Sequence, residues 1–175
     1  MKIERLKAIV LYVLHAAPGK CIGKHELFKI LYFASQIRLI RYGDAMISDF
    51  YAFKYGPVPS ALLNYLNGTN NPIVLSVNFD EESGYILSPR ENPDMDELSR
   101  VDIECLNESI NDNSGLTFQK LTQKSHDAAW EKAWDSRVGN RGGKMDIIDI
   151  ARAACSDEST IDYIREELAL EAVLA

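Results

Sequence analysis

Between Lys24 and Arg41 the chain reads KHELFKILYFASQIRLIR. Leu27, Phe28, Ile30, Leu31, Tyr32, Phe33, Ala34, Ile37, Leu39 and Ile40 then fall on nearly every side of a helix with about 3.6 residues per turn. A helix that apolar has no broad face to offer water, so its neighbours must cover most of it. The segment is therefore expected to be the central helix of the fold, stopped by Tyr42-Gly43-Asp44.

The rest of the 175 residues supplies the cover. A chain of this length makes one ordinary domain, 1–175, and buries roughly 70% of its unfolded surface without a staple. Residues 3 to 17 read as a first helix, with Ile3, Leu6, Val10, Val13 and Ala17 at spacings of three and four and Pro18-Gly19 as its end. Its outline resembles a secretory signal. Glu4 interrupts the basic region, though, and a cleaved signal needs bulk hydrophobicity where this segment has one apolar face. Residues 49 to 54 (DFYAFK) suit a short strand. Tyr55-Gly56-Pro57-Val58-Pro59-Ser60 reads as a sharp turn into a helix that runs to about Leu66, and Asn67 to Pro72 as a loop. Ile73 to Phe79 and Tyr85 to Leu87 form a hairpin around Asp80 to Gly84.

Asp94 is expected to open an acidic helix to about Asn111, burying Met95, Leu98, Val101, Ile103, Cys105, Leu106 and Ile110. Leu116 to Gln123 is a short helix, and Ser125 caps another that runs to about Trp134. Gly139 to Gly143 is a basic glycine-rich loop and Ile147 to Ala154 is helical. Ser156 caps the last helix, lined by Ile161, Ile164, Leu168 and Ala172. The fold class is α+β: a predominantly helical single domain with a buried central helix and a small antiparallel sheet or hairpin.

Charge narrows the partners. The net charge of −7 repels a phosphate backbone, and the nearest basic group is the loose set Arg137, Arg141 and Lys144, so nucleic acid is disfavoured. No segment reaches the approximately 18 apolar residues of a membrane span. Three widely spaced cysteines, Cys21, Cys105 and Cys155, favour a reducing compartment over a disulfide framework.

The residues offer little that points to catalysis or metal binding. Cys21 and His25 share a helical spacing but lack the partners of a zinc site. Ser125-His126-Asp127 are consecutive, so they point about 100° apart in a helix and cannot relay a proton in line. Asp80-Glu81-Glu82 and Glu166-Glu167 belong to solvated surfaces. Gly139 to Lys144 lacks the spacing of a phosphate loop. No catalytic residue, metal site or cofactor is expected. Aromatics are harder to set aside. Trp130 and Trp134 share one helical face among Glu131, Lys132 and Asp135, and Tyr51, Phe53 and Tyr55 cluster near the turn. Most such rings fill cores; one exposed among charges anchors a protein partner.

Three motifs, in order and at consistent spacing, resemble the Panacea domain, the SocA-like antitoxin domain once described as phage-associated. They are Lys29-Ile30-Leu31-Tyr32-Phe33-Ala34 followed by Arg41-Tyr42-Gly43; Phe53-Lys54-Tyr55-Gly56-Pro57-Val58-Pro59; and Ser125-His126 with Ala129-Trp130. The motif core covers about residues 5–135, and the C-terminal helices, 145–175, either pack on it or form a partner surface. The resemblance implies a bacterial, cytoplasmic antitoxin module without enzymatic activity. Its partner is a cognate toxin encoded next door, expected to be basic, and neutralised by direct binding or by adaptor delivery to a ClpXP-type protease. The motif residues Leu31, Tyr32, Phe33, Tyr42, Gly43, Lys54, Tyr55, Gly56, Pro57, Ser125, His126 and Trp130 are expected to be mainly structural. Tyr55, Trp130, Trp134 and Arg137 are the candidate partner contacts. The competing reading is a DNA-binding regulator of its own operon, with the first two helices as a faint helix-turn-helix.

Overall fold

A computed structural model describes residues 2–20, 22–67, 74–80, 84–139 and 141–174. Helix α1, Ile3–Ala16, buries Leu6, Ala8, Ile9, Val10, Leu11, Val13 and Leu14. That is more than the single face expected, and Ile3 instead stands exposed at its entrance. Strand β1, Ile22–Gly23, leads into α2, Lys24–Tyr42. Helix α2 is the central helix: every residue from Leu27 to Gln36 is buried, and Gly43 ends it in the left-handed conformation.

Strands β2, Phe50–Phe53, and β3, Gly56–Pro59, form a tight antiparallel hairpin. The expected turn at Gly56 to Pro59 is thus a strand, and the turn itself is Lys54-Tyr55. Both prolines are tolerated because β3 is an edge strand, where an imide nitrogen can face away from the ladder. Helix α3 is Ser60–Asn67; the expected loop beyond it, residues 68–72, lies outside the described residues. The second hairpin pairs β4, Val74–Asp80, with β5, Gly84–Pro89. Its tip, residues 81–83, also lies outside the described residues. Strand β1 pairs with β5, so among the described residues there are two small antiparallel sheets, β1-β5-β4 and one containing the β2–β3 hairpin.

Helix α4, Arg100–Asn113, begins later than Asp94. Asp94 caps only a single 3₁₀ turn, Met95–Glu97, which leaves Met95 exposed; Val101 and Ile103 are half-buried. The cap of α4 is Ser99, in a reciprocal capping box with Asp102. Asp102 is fully buried and also accepts from Arg5 at 2.8 Å and Arg38 at 2.5 Å, tying α1 and α2 to the start of α4. Burial would raise its pKa. Hydrogen bonds from Arg5 and Ser99 and the charge of Arg38 outweigh that and hold it below the ordinary value.

Helix α5 is Phe118–Ser125 and α6 is Ala128–Asp135. Ser125 therefore ends one helix and does not cap the next; Asp127 caps α6, accepting from the Trp130 N–H. The expected glycine-rich loop ends in β6, Gly143–Lys144, which pairs with β2. This is possible because a Cβ on Gly143 would stand 1.8 Å from the Ala133 carbonyl oxygen. Helix α7, Ile147–Ala154, is capped by Asp146. Helix α8, Glu158–Leu174, is capped by Asp157, which accepts from the Thr160 N–H at 3.1 Å, in place of the expected Ser156. Ile161 and Ile164 are buried and Leu168 is half-buried, but Ala172 is exposed. One hydrophobic cluster joins residues of α1 to α4 and α6 to α8. No helix among the described residues is long and apolar enough to cross a membrane.

Candidate partner-binding site

Along α2, Lys29, Tyr32 and Gln36 lie three and four residues apart, so they form one polar stripe inside the core. The Lys29 amine is 1% exposed and donates to the Pro57 carbonyl oxygen at 2.8 Å. Burial pushes its pKa down to about 7. The Tyr32 hydroxyl donates to Asp127 Oδ2 at 2.7 Å, and the Gln36 amide donates to the same oxygen at 3.0 Å. The stripe thus fastens the β2–β3 hairpin at one end and the α5–α6 junction at the other. Gly56 completes the joint. Its φ is 104°, and a Cβ there would stand 2.5 Å from Ser125 Oγ and 2.8 Å from both Lys29 Cε and Nζ. The second and third sequence motifs therefore meet on the first, and the chain can make that meeting only with glycine. A cleft of about 320 Å³ opens beside this joint, lined in part by Phe33, Gln36, Lys124 and Asp127.

From this floor a column of planar groups rises. The His126 and Trp130 rings stack with centroids 3.6 Å apart, Trp130 stacks on Trp134 at 5.4 Å, and the Arg137 guanidinium lies 3.6 Å over the Trp134 ring. Trp130 is buried and its Nε1–H donates to the Phe53 carbonyl at 2.9 Å, so the column is anchored to the hairpin. Trp134 and Arg137 are half-buried, and Val138 beyond them is 82% exposed. Burial, reinforced by the charge of Lys29, lowers the pKa of His126 against the opposing pull of Asp127 and Glu131. At the hairpin turn Tyr55 is half exposed, with its ring edge-on to Phe118 at 5.3 Å and Lys54 above it at 5.1 Å.

Leu31 and Tyr32 are fully buried, and Phe33 carries Lys124 above its ring at 4.5 Å. Tyr42 is exposed, its hydroxyl donating to Glu104 at 3.4 Å; Gly43 lies under Tyr163 and Glu167. Ser125 Oγ is buried and donates to the Thr122 carbonyl, which removes it from nucleophilic use. His25 faces the Tyr55 carbonyl and Thr122 Oγ1 through one ring nitrogen, each at 3.2 Å, and its pKa falls to about 4, first through burial and then through Lys29. Its expected companion Cys21 lies outside the described residues. Among the described residues no group of three or more His, Cys, Asp or Glu could hold a metal. Of the candidate contacts, Trp130 is thus an anchor, whereas Tyr55, Trp134 and Arg137 reach the surface. From the sequence Lys29 is legible only as the first residue of a motif, and neither it nor Gln36 is assigned a role. The available signal was position: a lysine within a run apolar on every side has no solvated face to reach.

The fold that holds this joint is a predominantly helical α+β domain. The chain matches the family described as antitoxin SocA-like, Panacea domain over residues 27–131 and belongs to it. It is therefore an antitoxin-type domain, and such a domain implies a toxin as its partner. No curated protein and no solved structure matches it.

Proposed function

We propose that the protein neutralises a cognate toxin by binding it directly, through a surface that includes Trp134 and Arg137 at the end of α6 and Tyr55 at the hairpin turn. The observation that carries this reading is the stacked column. Trp134 is held by the stacked ring of Trp130 and by the Arg137 guanidinium over its ring, so it meets a partner with little side-chain entropy left to lose. Trp, Tyr and Arg are also the residue types that dominate binding hot spots. The net charge of −7 would speed encounter with a basic toxin. No catalytic step is assigned. The DNA-binding alternative loses its reading helix, because α2 is buried along most of its length. Delivery to a protease would need the same binding event first, and rescue in cells lacking the protease separates the two routes.

Titration calorimetry with the purified toxin tests the face. Trp134→Ala is expected to weaken binding by about 1 to 4 kcal/mol while leaving the fold intact. Wild-type affinity in that variant, and in Tyr55→Ala and Arg137→Ala, removes this edge from the interface.

A further inference from the structure

The loop between α6 and β6 carries Arg137 and Arg141 and runs into Lys144, and the fold lays it along a row of aromatic rings. Strand β6 pairs with β2 so that Lys144 stands opposite Tyr51. Cross-strand partners share a face, and so do residues two apart in a strand. Lys144, Tyr51 and Phe53 therefore lie together on one side of the sheet. Lys144 is exposed there and both rings are half-buried. Gly142 packs against the Phe53 ring, where a Cβ would stand 2.7 Å from it. Arg141, the residue before, is exposed. At the other end of the loop the Arg137 guanidinium covers the Trp134 ring.

The three cations have no carboxylate partner among the described residues. By contrast Lys132, on the opposite side of α6 from Trp134, is taken by Asp149 at 2.7 Å. Arg137 gives an N–H to the Trp134 carbonyl oxygen. Asp146, two residues from Lys144, accepts from the Ile148 and Asp149 N–H groups at the start of α7. A chain of net charge −7 thus gathers three unpaired cations on one aromatic face, where the local field opposes the overall one. Such a face attracts carboxylates, and the half-buried rings between the cations receive apolar side chains.

The surroundings choose among anions. A nucleic-acid strand carries a charge at every residue, and beyond the cations it would meet the exposed Glu131 and Asp135 of α6. Two copies of this chain, each at −7, repel one another. A short peptide segment can end its charges where the cations end. We infer that Trp134, Arg137, Arg141 and Lys144, with the outer faces of Tyr51 and Phe53, form one docking surface for a short acidic segment of a partner protein, in which carboxylates alternate with apolar side chains. This rests on the proposed function only in taking that partner to be the toxin. A toxin that is basic overall would still present carboxylates at this contact.

The test needs no toxin. The full chain, labelled with ¹⁵N, is titrated by NMR with a hexapeptide of alternating glutamate and leucine, with its lysine–leucine counterpart, and with a thymidine hexanucleotide. The expected result is saturable shifts of the Trp134 indole N–H and of the Arg141 and Lys144 amides with the glutamate peptide, and none with the lysine peptide. Arg141→Glu with Lys144→Glu is expected to raise the dissociation constant about tenfold or more. Both side chains are exposed, and thermal unfolding checks that the variant folds as the wild type. No shift with the glutamate peptide, equal affinity in the double variant, or tighter binding of the hexanucleotide at the same signals overturns the inference. So does a wild-type dimer in sedimentation that the double variant abolishes. Wild-type toxin affinity in Trp134→Ala would remove the toxin from this face and leave the peptide shifts in place, so the two readings fail separately.

Discussion

Gly56→Ala is the sharpest probe of the joint that holds the aromatic edge in place. Gly56 has a φ of 104°, where an L side chain costs about 1 to 2 kcal/mol in the backbone alone. The new methyl would also stand 2.5 Å from Ser125 Oγ and 2.8 Å from Lys29 Cε and Nζ. Neither side chain can swing into solvent, since Ser125 is 0% and Lys29 1% exposed. Moving the amine off the Pro57 carbonyl forfeits a hydrogen bond worth about 1 to 3 kcal/mol. Together these give a loss of about 2 to 5 kcal/mol. At about 2 to 4 °C per kcal/mol for a domain of this size, the midpoint of thermal unfolding falls on the order of 10 °C. Differential scanning calorimetry reads this directly. Ser125→Ala removes the nearest atom, so the double variant is expected to lose less than the sum of the single losses, by about 1 kcal/mol. A Gly56→Ala protein that melts within about 2 °C of the wild type, less than 1 kcal/mol on the same scale, would refute the close packing of the three motifs.

Lys29 makes stability depend on pH. Burial lowers its pKa from 10.5 to about 7, so between those values the unfolded chain holds the proton and the folded chain does not. Stability at this site is least below pH 7 and rises as pH climbs through that window. Lys29→Met lacks the rise. Its stability relative to the wild type should fall by about 1 kcal/mol per pH unit across the window, read from urea unfolding at stepped pH, and a difference that does not change with pH contradicts the burial of the amine. Gly143→Ala places a methyl 1.8 Å from the backbone oxygen of Ala133. It should cost at least about 2 kcal/mol in thermal unfolding, and a neutral effect would mean that β6 does not lie against α6.

The central helix was legible because its pattern admits one solution: residues apolar on every side must be surrounded. Helix α7 was also placed to the residue, since Asp146 and Cys155 flank a short amphipathic run. What stayed hidden depended on partners distant in sequence. Gly56 to Pro59 looks like a turn by residue type; it becomes a strand because β2 supplies one ladder and the prolines fall on the free edge. Gly143-Lys144 looks like part of a mobile loop until Ala133 shows why a glycine stands there. Ser125 looked like a cap, but its neighbour two residues on, Asp127, has the cap, and the serine packs under Gly56 instead. The motifs themselves could be read as three strings. That they meet at one buried lysine is a fact of the fold.

Toxin neutralisation is tested most directly by growth of cells that express the neighbouring open reading frame, alone and together with the protein. The expected result is arrest by the neighbour alone, rescue on co-expression, and loss of rescue when Trp134 and Arg137 are both replaced by alanine. A harmless neighbour, or full rescue by the variant that lacks both side chains, would contradict it.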